Sequence, residues 1–303
     1  MPELEVLPTV EQPLRNGIAT GMLAESPLRF HVTPTAEIAY RQVGSGPPLL
    51  LLHGWPLSGL TYRRLIPHLA PRFTCYAVDL PGGGETRWRN ENDFSFGGQA
   101  ENVARFIAGL GLNGCHVVAH DTGATIARAL ALIAGAHLGK LVLIGTEIPG
   151  HRPPWIPLYQ RLTALPGAQV SFRLLMSSQR FLRSPMGFGN CFVDRSLIGG
   201  EFSEYFVRPL VQSSARLEGQ LRYLGGIDWA FLDRLAEEHR KIANPVLLIW
   251  GAEDSIFPVE RARAMTGQLG DCRGFVAIAG AKLLVHEERP AEVAQHILEF
   301  LLA

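Results

Sequence analysis

Short apolar runs of about five residues recur along this chain. Each is bounded by turn residues and followed by a stretch of helical period, and few folds accept that alternation. Residues 49–52, 115–119, 140–144 and 246–250 are dominated by Leu, Val, Ile and small residues, the composition of strands covered on both faces. Residues 60–69, 96–110, 122–133, 259–269 and 291–302 place apolar side chains at helical spacing, the last stretch opened by Pro290, a favoured first helical residue. Residues 74–78 and 274–279 read as further strands, and 28–32 and 37–43 as a pair joined at Pro34. Strands alternating with helices predict the α/β class: a mostly parallel sheet flanked by helices.

From 147 to 243 the strand pattern stops. PPWIPLYQRL (153–162), SFRLLMSSQRFL (171–182), EYFVRPLVQSS (204–214) and WAFLDRLAEEHRKI (229–242) are all helical in period. The predicted organisation is an N-terminal extension (1–27), a core in two parts (28–146 and 244–303), and an inserted helical cap (147–243). Internal repeats and low-complexity tracts are absent from the sequence.

Charge narrows the function classes. Lys and Arg total 28 and so do Asp and Glu, so the surplus of positive charge that phosphate backbones require is missing and no nucleic-acid partner is expected. No segment approaches the roughly 18 uncharged apolar residues of a membrane span. The first ten residues hold two Glu and neither Lys nor Arg, unlike a secretory signal. The expectation is a cytoplasmic protein without membrane contact; a homodimer is left open. Cys75, Cys115, Cys191 and Cys272 are scattered, with no C-x-x-C pair, and read as small buried hydrophobes in a reducing compartment. No metal or cofactor is expected.

Open parallel sheets bind ligands at the C-terminal ends of their strands. There the sequence places His53-Gly54-Trp55-Pro56, Asp79 to Gly84, Ala119-His120-Asp121-Thr122-Gly123, Gly145-Thr146-Glu147 and Gly251-Ala252-Glu253-Asp254. A strand, then small-x-Asp-x-Gly, then a helix has the form of a nucleophile elbow. Ala119 and Gly123 supply the small residues of the tight turn, and Asp121 projects over a helix N-terminus, whose partial positive charge favours a carboxylate. A plain helix N-cap would also use Asp at this place.

Taken together, HGWP (53–56), DLPGGG (79–84), HDTG (120–123), WGAEDSIFP (250–258) and HEERPAEV (286–293) resemble the α/β-hydrolase superfamily. The resemblance spans about residues 28–303 and is to the epoxide hydrolase and haloalkane dehalogenase branch, since esterases carry Ser where this chain has Asp121. It implies an α/β-hydrolase fold with a cap, and a carboxylate that attacks an sp3 carbon to form an alkyl ester. In the resembled enzymes a His then activates water, with an acid orienting it, and backbone N–H groups, here those of Trp55 and Thr122, form the oxyanion hole. The orienting acid implied is Asp254, with Glu147 as the alternative that some dehalogenases use.

One part of the pattern is missing. Counting back from HEERP without gaps puts Leu283 at the family's His, with Lys282 just before it and His286 three positions after. Three accounts stay open. His286 serves as the base, although it more naturally starts the final helix at the surface. Lys282 serves, since burial lowers a Lys pKa. Or there is no base, an ester on Asp121 would persist, and Asp121 acts as general acid or base or merely holds a substrate.

The cap bears on the substrate. Epoxide hydrolases of this kind use cap Tyr hydroxyls on the epoxide oxygen, which makes Tyr159, Tyr205 and Tyr223 candidates, with simple packing as the alternative. His53 and His120, at strand ends, are candidates for substrate contact, His53 reading chiefly as a structural residue of its loop. Thr122 in place of a Trp after the nucleophile, and Trp55 in place of the Asn of HGNP, count against a dehalogenase. Trp155, Phe172, Met176, Phe181, Met186 and Phe188 suggest a sizeable apolar small-molecule substrate, and Arg173, Arg180 and Arg183 a solvated face. The resemblance thus implies an epoxide hydrolase-like enzyme acting through Asp121, with natural-product biosynthesis as a setting. The alternatives are a non-hydrolytic enzyme (isomerase, lyase or cyclase) and a non-catalytic ligand-binding protein.

Overall fold

The computed structural model describes residues 21–153 and 155–303. Nine strands form one sheet: β1 (Leu28–Val32), β2 (Ala36–Val43), β3 (Pro48–Leu52), β4 (Thr74–Val78), β5 (Arg87–Trp88), β6 (Cys115–His120), β7 (Leu138–Ile144), β8 (Val246–Gly251) and β9 (Cys272–Ile278). Their order is β1-β2-β4-β3-β6-β7-β8-β9, with β5 paired to β2. β2 pairs antiparallel with β1, β4 and β5, and every pairing from β4 to β9 is parallel.

The unbroken apolar runs are explained by two covered faces. Leu50, Leu52, Val117, Ala119, Leu141, Leu143 and Leu248 enter one apolar cluster; Leu49, Leu51, Val118, Val142, Ile144, Leu247 and Ile249 enter the other. Side chains alternate across a strand, so burial on both sides demands an apolar residue at every position. The helix Phe96–Leu110 shows how local chemistry sets a boundary: the Ser95 hydroxyl caps the Gly98 N–H at 3.2 Å and Gly111 closes the helix at φ 67°, a conformation that favours glycine.

Three expectations need correction. Residues 60–69 are a 3-10 turn (Gly59–Tyr62) followed by a short α-helix (Ile66–Leu69), because Pro67 starts a new first turn more readily than it continues an old one. Residues 259–269 hold a helix only over Val259–Ala264, then a 3-10 turn ending at Gly267. The expected extension is partly docked: Gly21–Ala24 form a helical turn whose Leu23 is fully buried among Tyr62, Leu65 and Ile66, an apolar anchor the lack of periodicity concealed. Residues 1–20 lie outside the described residues.

Between β7 and β8 the described residues contain helices and turns and no strand. Phe188, Phe192 and Phe206 each meet Phe202 there, edge-on or tilted, at ring separations of 5.0 to 5.2 Å. Arg63, from the core, is fully buried and donates to Glu287 at 2.6 Å and to Glu201 of the helical segment at 3.3 Å. That ties the helices to the sheet. Among the described residues no helix is long and apolar enough to cross a membrane.

Leu23 offers a test of the docked turn. Leu23→Ala should lower unfolding free energy by about 2–4 kcal/mol, read as a lower urea midpoint; an unchanged midpoint would show that the turn does not contribute to the core.

Candidate active site

Asp121 sits where β6 turns into the helix Thr122–Ala134, with φ 53° and ψ −131°. It is the only non-glycine residue at positive φ among those described, a conformation costing on the order of 1–3 kcal/mol. Its neighbours hold it there. The Asp121 N–H donates to the carbonyls of Ile144 and Gly145 at 3.1 and 2.9 Å, and its own carbonyl accepts from Ala124 N–H at 2.8 Å and the Thr146 hydroxyl at 2.9 Å. Backbone crowding leaves no choice of side chain beside it: a Cβ on Gly123 would lie 2.4 Å from the His53 carbonyl oxygen, and one on Gly54 2.4 Å from Asp121 Cβ. The loop after β3 and the elbow are packed main chain to main chain.

Three carboxyls meet at this point. Burial, together with the neighbouring Glu147 carboxyl, raises the Asp121 pKa well above the ordinary range. Glu147 Oε2 accepts from the Thr125 hydroxyl at 2.6 Å and lies 3.0 Å from the Thr146 hydroxyl, whose one proton is contested by the Asp121 carbonyl. Both hydroxyls accept from the fully buried Arg128, at 2.6 and 2.9 Å, and Arg128 also donates to the Glu147 backbone carbonyl at 2.9 Å. Asp254 Oδ1 accepts the N–H groups of Ile256 and Phe257 at 2.8 and 3.0 Å, but its Oδ2 is buried without a hydrogen-bond partner. Burial pushes the Asp254 carboxyl up to about 7.

A cavity lined mostly by apolar side chains opens over this cluster. Asp121, Thr122, Glu147, Leu283, Trp55, Trp155 and Tyr159 all line it, so the sequence placed seven of its candidates around one space. Trp229, Ile256, Phe257 and Cys191 line it too and were not singled out by sequence. A second, almost wholly apolar chamber adjoins it, sharing Trp55, Tyr159, Met186 and Phe188 and adding Phe172, Met176 and Phe181.

The other candidates lie elsewhere. His286 is not at the surface: it is fully buried in the short helix Val285–Glu288, its Nε2 2.8 Å from the Thr61 hydroxyl and its ring 4.5 Å from that of His120. It is outside the cavity lining, and burial lowers its pKa well below the usual value. Lys282 is half-buried and also outside the lining. His53 holds loops: its Nδ1 lies 2.9 Å from the Gly54 carbonyl and its Nε2 accepts from Leu80 N–H at 2.9 Å, which leaves neither nitrogen for a substrate. His120 donates from Nε2 to the Leu283 carbonyl at 3.0 Å, beneath the cavity. Burial drops these two imidazoles to about 4 and about 3, so both are neutral.

Of the tyrosines, only Tyr159 lines the cavity, its hydroxyl bonded to the Met186 carbonyl. Tyr223 lies 3.0 Å from the Thr122 hydroxyl, and Tyr205 lines a separate groove beside Arg63. The expected oxyanion hole is already engaged. Trp55 N–H donates to Thr122 Oγ1 at 2.9 Å, so a β-hydroxyl at position 122 occupies one of the two donors an oxyanion would use. Arg128, Thr125 and Thr146 were missed. Their signal was faint but present: Thr125 and Arg128 stand four and seven residues after Asp121, polar positions on one face of an otherwise apolar helix.

Comparison with known proteins gives a consistent background. Residues 47–290 match the alpha/beta hydrolase fold family. The chain is 26% identical to a pimeloyl-[acyl-carrier protein] methyl ester esterase of Aeromonas hydrophila, covering 86% of this chain and 99% of that one. It is 27% identical to haloalkane dehalogenase 2 of Mycobacterium bovis, over 89% and 93% of the two chains. In three dimensions it resembles the epoxide hydrolase CorEH, with a TM-score of 0.75 at 23% identity, covering 91% and 99%.

The bare oxygen of Asp254 predicts a pH effect. A carboxyl whose folded pKa is about 7, against 3.8 ordinarily, binds its proton more tightly when folded. It therefore costs nothing below about pH 4 and weakens the fold as pH rises through 7. Asp254→Asn keeps the Oδ1 acceptor and removes the buried charge, so its Tm should exceed that of the wild type at pH 8 by several degrees and match it near pH 4. Equal destabilisation at both pH values would refute the assignment.

Proposed function

The chain belongs to the alpha/beta hydrolase fold family, and from that premise we propose that it is an epoxide hydrolase-like enzyme acting on an uncharged, apolar small molecule through Asp121. One observation carries the reading: a carboxyl stands at the apex of the elbow, on the floor of an apolar cavity, where relatives that cleave esters use a hydroxyl. The adjoining apolar chamber supports an elongated substrate whose reactive end reaches Asp121 while its hydrocarbon end lies among Phe172, Met176 and Phe181. No formal charge is needed on such a molecule, and the cavity offers none of the cations that would recognise an anion.

A second reading, that the reaction is not hydrolytic, is favoured by what faces Asp121. Leu283 occupies the wall where the family's base would stand, and the Asp254 oxygen that would orient a base has no partner. Leu cannot accept a proton, so an alkyl ester formed on Asp121 would have no activated water to release it. Isomerisation, elimination or cyclisation of an epoxide needs only proton transfer. Natural-product biosynthesis inside the cytoplasm is a setting in which such an enzyme fits.

Leu283→His separates the two readings. The new imidazole would lie beside Asp254 and the cavity, and a styrene oxide-type epoxide should then yield diol at least tenfold faster than with the wild type, by chromatography. Diol formation by the wild type at an equal rate would remove the non-hydrolytic reading; no gain in the variant would mean that position 283 is not the base position.

A further inference from the structure

Resting on the reading that Asp121 meets the substrate, we propose that Asp121 and Glu147 form a proton-sharing acid–base pair that isomerises an epoxide to an allylic alcohol, with Arg128 as the positioning residue that fixes which of the two holds the proton. The two buried carboxyls are neighbours on the cavity floor: both line it, and the Thr146 hydroxyl lies 2.9 Å from the Asp121 carbonyl and 3.0 Å from Glu147 Oε2. Two carboxyls in such contact do not both ionise near neutral pH.

The asymmetry comes from below. Arg128, fully buried, donates to the Thr125 hydroxyl, which keeps its own proton to donate to Glu147 Oε2 at 2.6 Å. A hydroxyl that accepts from a guanidinium is a stronger donor, and this one is directed at Glu147 rather than at Asp121. The far side of Arg128 supplies no competing anion: its Nη1 meets the neutral His239 at 3.2 Å, whose Nδ1 is held by Gln268. Neither Thr125 nor Arg128 donates to the Asp121 carboxyl. The proton therefore resides on Asp121.

The step balances without water, oxidant or cofactor. Asp121 gives its proton to the epoxide oxygen; a ring C–O bond breaks and its electron pair stays on oxygen, now a hydroxyl. Glu147 takes a proton from the carbon adjacent to the opened centre, and that C–H pair becomes the C=C bond. The product is an isomer of the substrate. The proton on Glu147 then returns to Asp121, which resets the pair. The substrate class is an apolar epoxide bearing a hydrogen next to the ring.

The test uses the full chain with 1-methylcyclohexene oxide and styrene oxide in water labelled with heavy oxygen, read by product mass and by intact-protein mass. The wild type should release unlabelled allylic alcohol and carry no adduct. Glu147→Gln should lose isomerisation by a hundredfold or more and, with Asp121 now free to ionise, should accumulate one styrene oxide on Asp121. Thr125→Val should move the proton toward Glu147 and show the same adduct more slowly, while Thr125→Ser restores the wild-type pattern, a rescue that a merely structural role would not give. Labelled diol or a lasting adduct on the wild type would overturn the acid–base pair yet leave Asp121 as the reacting group. Turnover surviving in Asp121→Asn, or neither product in the wild type nor adduct in Glu147→Gln, would overturn the underlying reading itself.

Discussion

The strained backbone of Asp121 is the constraint around which the rest of the site is arranged. A residue at φ 53° persists only where its surroundings outweigh the strain, and here they do so through hydrogen bonds at both ends of the residue: the carbonyls of Ile144 and Gly145 on its N–H, and the Ala124 N–H and the Thr146 hydroxyl on its carbonyl. Those contacts exist because β6 and β7 are parallel neighbours buried on both faces. The hydrophobic alternation that builds the sheet thus also aims a carboxyl into a cavity. Packing energetics and chemistry meet in one peptide unit.

A buried carboxyl is costly unless it is paired or protonated. This site buries three, and each is handled differently. Glu147 accepts from the Thr125 hydroxyl, which Arg128 backs. Asp121 leans on Glu147. Asp254 has backbone donors on one oxygen and nothing on the other. The unpartnered Asp254 oxygen and the apolar Leu283 side chain both lie beside Gly145.

Much of this was legible in the chain. Strand runs and the elbow spacing are local patterns, so β3, β4, β6, β7 and β8 and the place of Asp121 were readable to within a residue or two. Counting back from HEERP picked out Leu283, and the structure puts that side chain in the cavity wall. Depth was harder. His286 lies three residues from Leu283 yet beneath the sheet's end, because the chain turns into a short helix there, and a one-dimensional pattern carries no such direction. Tyr205 and Tyr159 are both cap aromatics of similar context; only the folding of the cap puts one in the cavity and the other beside Arg63. The link from Arg128 to Glu147 joins a helix to a loop nineteen positions on, and pairing across elements is decided by tertiary packing alone.

β7 and β8 are parallel neighbours, so the chain leaves the top of one and must enter the bottom of the next. Parallel strands need a crossover, and within the long helical stretch the helix Trp229–Glu238 provides it: its Leu232 and Leu235 are in the sheet's apolar cluster, and the His239 that follows meets Arg128 of the elbow helix. The same helix places Trp229 in the cavity wall. A deletion meant to strip the inserted helices and keep a foldable open sheet with its flanking helices would have to stop before Trp229, because beyond that point the insert's sequence has become the scaffold.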